Sequence, residues 1–164
     1  MAVYIRSRLT GARVQRAPLM RLAQRILSAV GESAAELSIE LIGDRRMRRL
    51  NHDYRKKDRT TDVLAFAMRE SFIPYASSRT PAMLGDVVIS IPTAVRQARE
   101  AGLSLDEEIA ALLVHGVLHL CGYDHERSEK DAARMRRRER IILKKVQPVP
   151  RLVITRSGPR KRNH

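Results

Sequence analysis

SLDEEIAALLVHGVLHLCGYDH, residues 104–125, decides how the rest of the chain is read. Ser104 and Glu107 have capping-box spacing, so a helix starts beside them. The segment from Asp106 to about Cys121 is strongly apolar, with Leu112, Leu113, Leu118 and Leu120 able to hold it in the core. Gly122 stops the helix at a left-handed position. His115 and His119 are four residues apart and share one helix face. A turn at Gly122 can bring His125 back toward the same point. Three imidazoles around an open fourth position make a catalytic metal site rather than a closed structural one. Neutral imidazole nitrogen suits zinc. Chance placement is the bland alternative, but three of the chain's five histidines fall within the eleven residues 115–125.

The histidine spacing is that of the zincin-like HExxH peptidases, with one difference. Those enzymes carry a glutamate after the first histidine that deprotonates the zinc-bound water. Gly116 stands there and has no side chain. Peptide hydrolysis loses its expected base, whereas a metal can still clamp a phosphoryl oxygen beside an arginine. Cys121 is the rival ligand, but it lies two places from His119 and off that face. Asp124 can orient a ligand histidine or cap the following helix. His52 and His164 read as surface residues.

Working outward, residues 2–9 predict a short strand and 17–31 a helix with Leu19, Leu22, Ile26, Leu27 and Val30 on one face, ended by Gly31. Residues 35–43 alternate through Leu37, Ile39 and Leu41 and predict a strand. Asp44 can cap a helix over 45–54 that carries Met47, Leu50 and Tyr54. Strands follow at 61–68 and 84–91, with a proline-containing loop at 69–82 between them. Pro92 opens a helix that ends near Gly102. A charged helix covers about 127–146. The sum is one α+β domain over 1–147, a small sheet of about four strands packed with about five helices. Residues 148–164 read as a basic flexible tail, with a docked strand over LVIT the lesser alternative.

Composition narrows the partners. The chain has 164 residues, enough for a real core, and no apolar run long enough to span a membrane. Its N-terminus lacks the apolar stretch of a secretory signal. A single cysteine fits a reducing compartment, the cytoplasm. Thirty-two basic residues against 18 acidic ones leave +14. Such a field attracts polyanions: RNA, DNA or an anionic membrane surface, with nucleic acid favoured because the basic residues also cluster. Arg55, Lys56, Lys57 and Arg59 form either a phosphate patch or a solvated loop. Residues 134–140, RMRRRER, are either a solvated face or a contact to RNA phosphates. Bases could stack on Tyr54, Phe66, Phe72, Tyr75 or Tyr123; tryptophan is absent. Asp86 either lines the cleft or satisfies a turn.

Three blocks together resemble the YbeY-like family of bacterial zinc-dependent endoribonucleases. HGVLHLCGYDH at 115–125 satisfies a signature similar to HGxLHLxGYDH. LNHDYRKKDRTTDVLAFAM at 50–68 is similar to the family's N-x-x-[YF]-R segment followed by T-D-V-L-S-F-P. LGDVVIS at 84–90 looks like its G-D-[IV]-x-[IL] strand. The resemblance covers roughly 1–147. It implies one zinc ion held by His115, His119 and His125, with Arg55 near metal and substrate, and a mixed, largely parallel four-stranded sheet. It also implies ribosomal RNA as substrate, the ribosome or its proteins as partners, and a role in ribosomal RNA maturation and ribosome quality control. Thr60, Ala65 and Ala67 depart from the family's proline, serine and proline, which bears on the shape of the groove.

The reading these features support is a single-strand-specific metallo-endoribonuclease. Arg55 carries the catalytic charge stabilisation, and Lys56, Lys57 and Arg59 bind substrate. Asp124 and Asp86 stand as candidates for steadying the metal site. The alternatives are a zinc hydrolase of peptidase type and an RNA-binding assembly factor whose zinc is structural. The base that activates water has no clear owner.

Overall fold

The elements run β1 (Val3–Ser7), β2 (Ala12–Val14), α1 (Arg16–Ala29), β3 (Glu36–Ile42), α2 (Asp44–Arg55), β4 (Val63–Ala67), β5 (Met83–Ser90), α3 (Ile91–Ala101), α4 (Leu105–Leu120), α5 (Glu129–Lys145) and β6 (Val153–Thr155). The computed structural model describes residues 2–55, 61–68 and 83–155, and of Arg55 the backbone alone. The expected loop at 69–82, with Phe72 and Tyr75, lies outside the described residues, as do Lys56, Lys57, Arg59 and Thr60.

The alternation in β3 buries Leu37, Ile39 and Leu41 completely. β1 and β5 flank β3 in parallel, and β4 pairs antiparallel with the outer side of β5, giving the order β1-β3-β5-β4. β5 is apolar on both faces, as an internal strand must be. Val87 and Ile89 enter the main core with α1, α3, α4 and α5. Val88 enters a smaller cluster with Ile42, Met47 and Leu64. Helix α2 therefore covers one face of the sheet, and α4 lies on the other. This is the α+β unit with a mixed four-stranded sheet and five helices that the sequence predicts. Among the described residues no helix is long and apolar enough to cross a membrane.

Two glycines set how closely α4 approaches the sheet. Gly85 has φ 154°, and a Cβ there would collide with the Phe66 carbonyl oxygen and stand 2.7 Å from Leu120 Cδ2. Gly116 is buried in α4, and a Cβ on it would stand 2.7 Å from Val87 Cγ1. A larger residue at 116 presses α4 away from β5, and one at 85 clashes first with the β4 backbone at Phe66.

Asp44 fastens α2 to α3. Its Oδ1 accepts from Ser90 Oγ and Thr93 Oγ1, each at 2.7 Å, and its Oδ2 faces Arg96 Nη1 at 2.9 Å. Partial burial pushes the carboxyl pKa up, but the bonds from Ser90, Arg96 and Thr93 and the Arg96 charge outweigh it, and the pKa lies below the usual aspartate value. A depressed pKa stabilises the fold at any pH above the unfolded aspartate value. That contribution disappears as pH falls through the folded value. Ser90 and Thr93 are themselves buried. Asp44→Ala removes the charged acceptor of two hydroxyls and is expected to cost about 2 kcal/mol at neutral pH. Urea midpoints measured from neutral pH downward should show the gap to the wild type closing only in the acid range. A gap that stays constant into acid contradicts the charged role of Asp44.

The end of the chain departs from the expectation of a flexible tail beginning at 148. β6 pairs antiparallel with β2, from Ala12↔Thr155 to Val14↔Val153. Leu152 and Val153 are 0% and 4% exposed. Asp106 Oδ1 in the first turn of α4 accepts from the Leu152 and Val153 amides at 2.7 and 3.3 Å. The apolar pair LV has a place to bury and a carboxylate to receive its amides, so the lesser alternative is the one that forms. Residues 156–164 lie outside the described residues. Tyr54 also departs from its expected place on the apolar face of α2. It is 66% exposed, while Met47 is fully buried.

Candidate metal centre

The α4 capping box forms as predicted. Ser104 Oγ accepts from the Glu107 amide at 3.1 Å and Glu107 Oε1 accepts from the Ser104 amide at 3.2 Å. At the other end Gly122, with φ 97°, sits in a Schellman turn. Its amide donates to the His119 carbonyl at 3.0 Å and the Tyr123 amide to the Leu118 carbonyl at 3.1 Å. That reversal returns His125 to the face already occupied by His115 and His119.

The three ring centroids are 4.8 to 5.1 Å apart. One nitrogen from each lies within 4.8 Å of the others, and among the described residues this is the only such His/Cys/Asp/Glu group. His119 Nε2 and His125 Nδ1 are 3.1 Å apart. Two nitrogen ligands of one tetrahedral metal ion stand about 3.3 Å apart, so the donors fit a divalent ion in both type and spacing. Burial of His119, followed by the neighbouring His115 and His125, lowers its pKa against an opposing pull from Asp124 and Glu126. The ring is therefore neutral at pH 7, which is the ligating form.

His115 has a partner that the sequence reading missed. Its Nδ1 lies 2.7 Å from Glu139 Oε1. A carboxylate there accepts the Nδ1 proton and leaves Nε2 free to ligate, which fixes the tautomer and the ring plane. A signal for it does exist in the sequence. Met135 and Ile142 are the buried residues of α5, and Glu139 stands between them at helical spacing, on the same face. Glu139→Ala is expected to weaken metal affinity about 10- to 100-fold, with Glu139→Gln intermediate. Competition against a chromophoric chelator reads this directly. Unchanged affinity in both variants removes Glu139 from the site.

The histidines open onto a cleft of about 890 Å³. It wraps the free edge of β4, from Thr61 to Phe66, and reaches Tyr54 at the end of α2. Arg55 follows Tyr54 directly. Asp124 lines the cleft, but its Oδ1 accepts from the Glu126 amide at 2.8 Å and its Oδ2 faces Arg127 Nε at 3.3 Å. These bonds, the backbone one first, hold its pKa below the usual value. Asp124 thus shapes the turn that carries His125. Asp86 sits at mid-strand in β5, in register with Ser38 and Phe66, and is not among the residues lining the cleft. By alternation its side chain shares the α2 face with Val88, opposite α4. Cys121 is the half-buried C-cap of α4 and lies outside the histidine group. Ala65 lines the cleft at the position where the resemblance leads one to expect serine.

The arginine run on α5 divides by face. Arg138 Nη2 donates to the Ala29 carbonyl at 3.1 Å, closing the end of α1. Arg134 stands 5.8 Å from the centre of the Tyr123 ring, and Arg136, Arg137 and Arg140 are exposed.

Comparison with known proteins places these features in one family. The profile described as Endoribonuclease YbeY matches residues 5–147. The Endoribonuclease YbeY of Geobacter metallireducens is 49% identical over 126 residues, covering 76% of this chain and 82% of that protein. That of Aquifex aeolicus is 46% identical over 134 residues, covering 82% and 85%. The solution structure of TM1509 from Thermotoga maritima shares the fold, with a TM-score of 0.59, 23% identity and 88% of each chain covered.

Proposed function

The chain belongs to the YbeY endoribonuclease family, and from that premise we propose that it is a zinc-dependent enzyme cutting single-stranded ribosomal RNA during ribosome maturation and quality control. One observation carries the reading. Three imidazoles converge on an open cleft while position 116, the seat of the peptidase base, is a glycine packed onto Val87. The net charge of +14 supports a polyanionic substrate and the ribosome as the place of action.

His115, His119 and His125 hold the zinc, and Glu139 holds His115 in its ligating orientation. Bound there, zinc supplies Lewis-acid polarisation and lowers the pKa of water. Arg55 is the group we assign to the scissile phosphate. Its guanidinium fork matches two phosphate oxygens and stabilises the charge that builds during cleavage. Lys56, Lys57 and Arg59 extend the positive surface along the RNA backbone and supply salt-sensitive affinity. The edge of β4 forms the floor of the cleft.

The test is to incubate metal-loaded protein with ribosomal RNA fragments and with an unstructured protein. RNA cleavage with the protein left intact is expected. Arg55→Ala should lower kcat about 100- to 1000-fold with zinc content unchanged. Proteolysis without RNA cleavage overturns the proposal in favour of a peptidase-type hydrolase. RNA binding without cleavage overturns it in favour of an assembly factor.

A further inference from the structure

We propose that Tyr54, braced by Phe66, is a stacking shelf for one nucleobase next to the scissile phosphate, an inference that rests on the endoribonuclease reading. Met47 of α2 is fully buried, while Tyr54, at the end of the same helix, is an aromatic residue 66% exposed. It is nevertheless fixed in place. Its ring meets Phe66 edge-on, with centroids 5.0 Å apart and planes at 62°, the arrangement aromatic pairs favour. Phe66 is anchored in turn by β4 and the small core on the α2 face. One face of the shelf is backed by protein and another is open to the cleft.

Its position gives this aromatic a use. Tyr54, Phe66 and the three histidines line the same cleft on opposite sides of the β4 edge. A strand of RNA laid across that edge with a phosphate at the histidines brings a neighbouring nucleotide over Tyr54. Arg55 is the next residue in sequence. Base stacking on an aromatic ring is worth about 1–3 kcal/mol per base and tolerates any base. A paired base is already stacked in its own helix and cannot occupy the shelf. The shelf therefore selects single strands by requiring an unstacked base.

Binding of a fluorescent single-stranded oligoribonucleotide to the full-length protein, across a salt series, tests this. Tyr54→Ala should weaken binding about 10- to 100-fold while leaving the slope of log Kd against log salt unchanged, because no phosphate contact is lost. Tyr54→Phe should bind like the wild type. An abasic nucleotide scanned along the oligonucleotide should weaken wild-type binding at one position and leave Tyr54→Ala indifferent there. Binding unaffected by Tyr54→Ala overturns the shelf and leaves the endoribonuclease reading intact. A loss in affinity accompanied by a shallower salt slope also overturns it, since the effect is then electrostatic. A wild-type protein that neither binds nor cuts RNA overturns both.

Discussion

Replacing Gly116 with glutamate, which completes an HExxH on α4, is expected to destabilise the protein by about 4 kcal/mol or more and to create no peptidase. The Cβ alone would stand 2.7 Å from Val87 Cγ1, 3.1 Å from Val87 Cγ2 and 3.5 Å from Val63 Cγ2. Val87 is fully buried on an internal strand, and a β-branched side chain has little freedom to turn aside. Overpacking of this kind costs about 1–3 kcal/mol. A carboxylate carried into the same contact adds the cost of burying an unpaired charge. Gly116→Ala isolates the first contribution, offset by about 1 kcal/mol of helix propensity. Urea unfolding of the two variants separates them. A Gly116→Glu protein as stable as the wild type means that α4 can lift from the sheet, and the packing account of this glycine then fails. On this account the glycine does more than remove a base: the helix sits too close to β5 for any side chain to be there.

His119→Ala is expected to lose bound metal and to lower RNA cleavage at least about 1000-fold, the size of several kcal/mol of lost charge stabilisation. His119 is the middle ligand. It shares the helix face with His115 and lies 3.1 Å from His125 across the Schellman turn. Without it the two remaining imidazoles belong to different parts of that turn. The turn itself is held by backbone bonds, so the helical circular dichroism should not change. Elemental analysis of the purified variant reads metal content directly, and chelation of the wild type should reproduce the loss. Full metal content in His119→Ala would mean that Cys121 or Asp124 has taken over a ligand position.

The parts legible in the sequence are those written in neighbouring residues. The capping box, the glycine turn and the i, i+4 histidines lie within 22 consecutive residues, and each is a local rule. Strand β3 shows itself by alternation alone. What was missed needs two distant segments at once. Glu139 looks like one more surface charge until α5 is laid beside α4. Gly116 has a packing reason only once Val87 lies beneath it. Tyr54 fits the periodicity of α2, and only the sheet edge reveals that it projects past the core. The three-residue strands β2 and β6 are too short to carry a pattern of their own.

The pairing of β2 with β6 also bears on how the molecule is made. β2 (Ala12–Val14) is synthesised long before its partner β6 (Val153–Thr155). Contacts this far apart in sequence close late, because loop entropy must be overcome before they form. During synthesis the central helix and its glycine turn can assemble from local contacts, while β2 waits with an open edge. Asp106 then receives the arriving Leu152 and Val153 amides. Synthesis of β6 is thus the event that closes the small sheet. A chain truncated before residue 152 should keep its histidine cluster yet expose the edge of β2, a template for pairing with other chains.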